Sequence, residues 1–270
     1  MDQALKGFID AKTDDSVVHI SDAIVRTGYT TPYKMGFKKL DDAFLGGVRA
    51  GDLIVITGLS GEGKTTLAQN ISARMSGELS PSLWFSYEVI LDNLYAKFKE
   101  IGAEDEDYLV YVPKRNTSGN VGWIKEKTKE ALAKFGTKFV FIDHLDYLSP
   151  TNINNSDQYR MVLRNICQEL KTMAIDLEVS VFLMAHVKKV QGREIEMQDI
   201  SESSGIYQLA DFVIAVKRKF EIKNEGGDKV RMYDNRGAAS VLKARLTGSL
   251  VTMNYHVERN KIISYDDSIV

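Results

Sequence analysis

The segment from Leu53 to Met75 constrains this chain more than any other. Leu53–Thr57 is a short continuous apolar run, and Thr65–Met75 reads as a helix. Between them, Gly58-Leu59-Ser60-Gly61-Glu62-Gly63-Lys64-Thr65 fits the pattern G-x-x-x-x-G-K-[ST]. A strand that feeds such a loop into a helix is a phosphate cradle. The glycines let the backbone curl so that successive N–H groups converge on an anion. The helix opening at Lys64, Thr65 and Thr66 adds the positive end of its dipole. Lys64 places a cation beside the β- and γ-phosphates of ATP or another nucleoside triphosphate, and the Thr65 hydroxyl suits Mg²⁺. Phosphate contacts are therefore expected from Gly58, Ser60, Gly61, Glu62, Gly63, Lys64, Thr65 and Thr66.

From residue 37 onward the same alternation continues. Leu83–Tyr87, Leu109–Val112, Phe139–Ile142, Val179–Ala185 and Phe212–Val216 are apolar or β-rich runs, with Trp123–Phe135 and Gln158–Leu177 helical between them. Short continuous strands alternating with helices predict an α/β domain whose mostly parallel sheet is sandwiched by helices. Ser240–Leu246 and Leu250–Val257 read instead as antiparallel strands joined by Thr247-Gly248-Ser249, and the polar stretch Lys217–Gly237 reads as a long loop or hairpin tip. Residues 1–36 read as an N-terminal arm or linker, or equally as an extension packed on its own domain, with a short amphipathic helix expected around Ala4, Leu5, Phe8 and Ile9. The domain proper spans 37–270.

Several classes are excluded by composition. The chain has 270 residues, 35 Lys and Arg against 37 Asp and Glu, and Cys167 alone, so neither a disulfide framework nor a Cys-rich zinc module fits. The N-terminus MDQALKGFID carries acids and no apolar h-region, and no apolar run is long enough to span a membrane. The expectation is a cytoplasmic protein, or one of the host cytoplasm if a phage encodes it. A net charge of −2 argues against a general duplex-DNA coat while leaving room for a local basic site.

Four further positions carry chemistry. Phe139-Val-Phe-Ile-Asp143 is an apolar strand ending in an acid, so Asp143 fits a Mg²⁺ holder acting through water; a strand-terminal cap or turn residue is the other reading. The residue after it is His144, so a water-activating base must come from elsewhere. Glu88 lies just past Leu83–Tyr87. In a RecA-like sheet that strand is next in line, with its carboxyl end facing the γ-phosphate. A carboxylate there can deprotonate water; an ordinary helix-start Glu is the other reading. His186 ends an apolar strand and is either a γ-phosphate sensor or a surface residue. Lys243 and Arg245 alternate with Leu242, Ala244 and Leu246, which sets two cations on one strand face. Either an anion from a neighbouring subunit lies opposite, or the face is solvated.

Phe37-Lys-Lys-Leu-Asp-Asp42, Gly46-Gly47, Gly51-Asp-Leu-Ile-Val-Ile56 and the phosphate loop resemble the motor domain of DnaB-type replicative helicases. Phe141-Ile-Asp-His-Leu145, Ala185-His-Val-Lys188, Gln208-Leu-Ala-Asp211 and Leu242-Lys-Ala-Arg-Leu-Thr-Gly248 resemble the phage and mitochondrial primase-helicase branch more closely. The likeness covers roughly residues 36–260. It implies a RecA-like domain assembled as a ring, usually a hexamer, with ATP and Mg²⁺ between subunits. By that resemblance Lys64, Thr65, Glu88 and Asp143 act in cis, His186 senses phosphate, Arg245 is a finger acting in trans beside Lys243, and Arg218 approaches the nucleotide. Residues 1–27 match a linker helix that docks on the next subunit. The ring moves on single-stranded DNA during replication, and Lys188, Lys189 and Arg193 are suited to grip its phosphates. The chain departs from its relatives at Ser201, where they carry Arg, and in having only about 36 residues before the motor. The latter implies a stand-alone motor, or a separate primase, collar or loader protein. A RecA- or recombinase-like filament ATPase and a non-motor RecA-like switch ATPase are the alternatives.

Overall fold

The computed structural model describes residues 31–77, 80–102, 108–116, 119–149, 155–186, 204–225 and 228–266. The helix and strand order begins α1 (Lys38–Ala43), β1 (Leu53–Gly58), α2 (Lys64–Gly77), β2 (Ser82–Ser86), α3 (Leu91–Ile101), β3 (Val110–Tyr111) and α4 (Val121–Phe135). It continues β4 (Phe139–Asp143), α5 (Ser156–Leu177), β5 (Ser180–His186), α6 (Ser204–Leu209), β6 (Phe212–Glu225), β7 (Asp228–Ala244), β8 (Thr252–Glu258) and β9 (Lys261–Ser264). Among the described residues, nine strands form one sheet in the order β3-β2-β4-β5-β1-β6-β7-β8-β9. Pairing is parallel from β3 to β6 and antiparallel from β6 to β9.

The apolar strands are buried on both faces, and their period of two divides the core. Ile54, Ile56, Phe139, Phe141, Phe182 and Met184 belong to one cluster with Leu67, Ile71, Leu94 and Phe98 from α2 and α3. Leu53, Val55, Val140, Ile142, Val181 and Leu183 face the other cluster, with Ile124 of α4 and Leu163, Leu170 and Met173 of α5. On the first face Trp84, Phe141 and Phe182 are register neighbours and stack across three strands, with centroids 4.8 and 4.5 Å apart. Helix ends obey local chemistry. The Asn120 side-chain oxygen accepts the Trp123 N–H at 2.8 Å to start α4, and Gly136, at φ 67°, ends it.

The structure departs from the sequence expectations in three places. The strand before Glu88 is not beside the phosphate-loop strand: β5 and β4 lie between β1 and β2. Of the two forms expected for Lys217–Gly237, loop or hairpin tip, the structure has the hairpin, but with far longer strands, because β6 and β7 pair through it to Glu225 and Asp228. Its polar residues hid the strands because this ribbon extends beyond the part of the sheet that is covered on both faces. The strand expected over Ser240–Leu246 stops at Ala244. At the other end of the domain, Tyr33 pairs with Val48 and Met35 is fully buried, so residues N-terminal to position 37 already pack on the core. Residues 1–30, which include the expected arm helix, lie outside the described residues.

Asp52, just before β1, is a partly buried acid at the end of the strand remote from the phosphate loop. Its carboxylate accepts the Arg49 N–H at 2.7 Å. Desolvation by burial, helped by the charge of Asp211, pushes the group from 3.8 up to about 6 against the opposing Arg49 N–H and Lys171. The folded state thus holds this proton more tightly than the unfolded chain. The stability it contributes is full below pH 3.8 and is lost as pH rises through about 6. Asp52→Asn removes the titration. In denaturant unfolding the two chains should nearly coincide at about pH 4, and the variant should be more stable by about 3 kcal/mol at about pH 7.5. A difference independent of pH would contradict this account.

Candidate nucleotide site

The carboxyl ends of β1, β2, β4 and β5 converge on a cleft of about 530 Å³ lined by Ser60–Thr66, Glu88, Val89, Lys97, His186, Arg218, Asn235, Tyr255, Val257 and Asn260. Its floor is the glycine loop. Gly61 and Gly63 sit at φ 79° and 98°, a region that side-chain-bearing residues rarely adopt. Glu62 turns inward, is buried, and its carboxylate accepts the Arg218 N–H, which ties the loop to β6.

Lys64 is buried in the loop. Its ammonium donates to the carbonyls of Gly58 and Leu59 at 3.2 and 3.1 Å and lies 2.8 Å from His186 Nδ1. Burial lowers its pKa, opposed by Glu88, Asp143 and Glu62. The parallel register explains the contact with His186, since Gly58 at the end of β1 pairs with His186 at the end of β5. The Thr65 hydroxyl donates to Asp143 Oδ2 at 2.8 Å, while Asp143 Oδ1 is buried with no hydrogen-bond partner among the described residues. Burial pushes the Asp143 carboxyl up to about 6 despite the Thr65 hydrogen bond. A hydroxyl beside a carboxylate with one orphaned oxygen is a hard-oxygen donor set, and it fits Mg²⁺.

Glu88 stands at the rim with its side chain 40% exposed, its backbone fixed because Ser86 pairs with Asp143 and the Tyr87 N–H donates to the Asp143 carbonyl at 2.7 Å. His144 packs behind it. Its ring meets that of His186 edge-on, with centroids 4.2 Å apart, and burial lowers the pKa of both histidines. Arg218 reaches the cleft from β6, donates to the Asp234 carbonyl at 3.0 Å and lies over the Tyr233 ring.

Lys243 and Arg245 do not enter this cleft. A bulge at Leu242 and the end of β7 break the simple alternation. Both cations turn to the C-terminal end of α6. Lys243 donates to the Tyr207 carbonyl, and Arg245 donates to the Gln208 carbonyl at 2.5 Å and to Asp211 at 3.0 Å. The anion opposite the pair is thus Asp211 together with end-of-helix carbonyls of the same chain. Asp211 also accepts from Lys171 at 2.6 Å and from the Leu53 N–H at 2.8 Å. Lys188, Lys189, Arg193 and Ser201 lie outside the described residues. Sequence reasoning missed Lys97, Asn235, Tyr255 and Asn260. For Tyr255 a signal existed in the in-out alternation of β8, where Met253 and Tyr255 are buried between exposed Thr252 and Asn254. Lys97 had none, because α3 itself was not read.

A helix-covered parallel sheet, with a glycine loop leaving its central strand and an acid ending the strand two places away, defines a RecA-like P-loop nucleotide-binding domain. The family is narrower than that class. Residues 33–106 and 106–262 match the DnaB-like helicase C-terminal domain, and the chain belongs to that family. It is 24% identical over 222 residues to the replicative DNA helicase DnaB of Mycoplasma genitalium, covering 70% of this chain and 47% of that protein. It is 26% identical over 154 residues to the DNA repair protein RadA of Aquifex aeolicus, covering 57% of this chain and 32% of that one. The chain thus spans about a third to a half of these curated relatives. Among solved structures, an isolated ATPase domain superposes with a TM-score of 0.72 at 19% identity over 96% of both chains. A DnaB-like replicative helicase, described with its interactions with primase, superposes with a TM-score of 0.70 at 21% identity over 96% of this chain and 71% of that one. No helix among the described residues is long and apolar enough to cross a membrane.

Proposed function

We propose that this domain hydrolyses ATP, or a related NTP or dNTP, at the interfaces of a homo-oligomeric ring, most simply a hexamer, that moves on single-stranded DNA as a replicative helicase. The observation that carries this reading is one cleft lined by Lys64, Thr65, Glu88 and His186, with the buried Asp143 bonded to Thr65 beneath it and Arg245 held outside it. The cis groups for triphosphate chemistry are together, and Lys97 and Arg218 also line the cleft, whereas Arg245, the finger that the resemblance implies, is tied to Asp211 away from it. A neighbouring copy would supply that arginine.

On triphosphate binding the Lys64 ammonium exchanges the Gly58 and Leu59 carbonyls for phosphate oxygens, and the loop N–H groups take the remaining charge. Thr65 and Asp143 would hold Mg²⁺, which when bound neutralises developing phosphate charge. Glu88 orients the attacking water and accepts its proton. His186, released from Lys64, hydrogen-bonds the γ-phosphate and reports its loss to the segment that follows β5. Lys188, Lys189 and Arg193 in that segment are proposed to contact DNA phosphates. Arg245 and Lys243 reach the neighbour's nucleotide after loosening from Asp211 and the α6 carbonyls, and Arg218 contacts nucleotide near the same boundary. Residues 1–27 dock on the next subunit, and a primase, collar or loader protein is a further proposed partner. The RadA likeness keeps a repair or recombinase ATPase as the second reading, but it spans less of the chain than the helicase-family match.

Strand displacement on a forked duplex tests the proposal. ATP-dependent displacement that disappears in Lys64→Ala is the expected result. Brisk hydrolysis without displacement or translocation would overturn the motor reading in favour of a switch ATPase.

A further inference from the structure

Among the described residues, Glu88, His144 and His186 offer three ligand atoms that all lie within 4.8 Å of one another. We infer that the nucleotide-free cleft binds a borderline divalent cation of the zinc class at these three side chains, and that the bound cation inhibits hydrolysis. The inhibitory half rests on the role proposed for Glu88; the binding half does not.

The donor set argues for this class of ion. Two imidazoles and one carboxylate favour Zn²⁺ or Co²⁺ over Mg²⁺, whose oxygen donors are the separate Thr65–Asp143 pair. The geometry agrees. His144 Nε2 is 3.6 Å from Glu88 Oε2, and Asp146 Oδ2 lies 3.5 Å behind Nδ1 of the same ring. His144 Nδ1 accepts the Asp146 N–H at 3.3 Å, so a metal on Nε2 moves the ring proton to Nδ1, where Asp146 Oδ2 can accept it in the outer-shell arrangement of metal-bound histidines. His144 is buried and held edge-on to His186, so the two rings are already paired, while the half-exposed Glu88 is free to swing inward. The open mouth of the cleft leaves a position for water. A cation seated here occupies the base and the sensor together, so water activation and phosphate sensing stop.

Lys64 supplies a test with an unusual sign. Its ammonium sits 2.8 Å from His186 Nδ1 and repels a divalent ion while competing for the same imidazole. Lys64→Ala, which abolishes triphosphate binding, should therefore tighten metal binding at least tenfold.

The experiment is a Co²⁺ titration of the full chain without nucleotide or DNA, read by visible d–d absorption, followed by Zn²⁺ displacement against a chromophoric chelator. Saturation at one equivalent, at least tenfold weakening in His144→Ala and in the volume-keeping His144→Gln, and tightening in Lys64→Ala are expected. His256→Ala, at a histidine paired with Glu258 on β8, should leave binding unchanged. Absence of a saturable band, a band indifferent to both His144 variants, or a band lost in His256→Ala would overturn the site. Bound Zn²⁺ with undiminished hydrolysis would overturn the inhibitory half. Because no outcome of the titration needs ATP or DNA, failure of the helicase reading leaves it intact.

Discussion

Glu88→Gln should lower the turnover number for ATP by about 10²–10⁴ while leaving ATP affinity nearly unchanged. That corresponds to about 3–5 kcal/mol of activation free energy. The amide keeps the shape and hydrogen-bonding reach of the side chain but cannot accept the water's proton. The substitution should be structurally quiet because the Glu88 side chain is 40% exposed and contributes to no core. Hydrolysis is read with saturating ATP and Mg²⁺, and binding with a fluorescent nucleotide. Turnover within a few-fold of the parent chain would remove Glu88 as the base and move attention to Asp146, which stands on the far side of His144.

Arg245→Ala carries the second large effect, through a different copy of the chain. An arginine finger contributes about 10³–10⁵ in rate to phosphoryl transfer, so assembled protein should lose at least about 10³. The folding cost is expected to be small. The Arg245 side chain is 48% exposed, and Asp211 retains Lys171 and the Leu53 N–H when the guanidinium is removed. With the guanidinium half in solvent and the buried Asp211 carboxylate still holding two donors, the loss should be about 1 kcal/mol. Mixing Glu88→Gln chains with Arg245→Ala chains separates a shared site from two independent defects. An interface with Glu88 from one chain and Arg245 from the other is intact, so activity should reappear on mixing. Mixtures no more active than the two variants alone would return Arg245 to a purely structural partner of Asp211.

How much of this was legible beforehand depended on the range of the physics involved. The glycine loop and β1, β4 and β5 were readable because fully buried strands are continuous apolar runs and because the loop's glycines and Lys64 recur at a fixed local spacing between strand and helix. Asp143, Lys64, Thr65 and His186 followed, since each ends or adjoins such a run. The place of β2 was not readable, because strand order is set by crossover packing and not by local pattern. The β6–β7 ribbon was hidden by its polarity. The ties of Lys243 and Arg245 to α6 and Asp211 join residues 34 to 37 positions apart, and only the folded chain brings them together. His144 was visible in sequence only as the residue that displaces an acid after Asp143. Its packing between Glu88 and His186 emerges when β2, β4 and β5 are set side by side.

The central claim is that catalysis is shared between copies and coupled to single-stranded DNA. ATP turnover per chain, measured across protein concentration with and without single-stranded DNA, tests it most directly. The account predicts a rate per chain that rises cooperatively with concentration and rises further on adding DNA. A rate per chain that is constant with concentration and indifferent to DNA would contradict it.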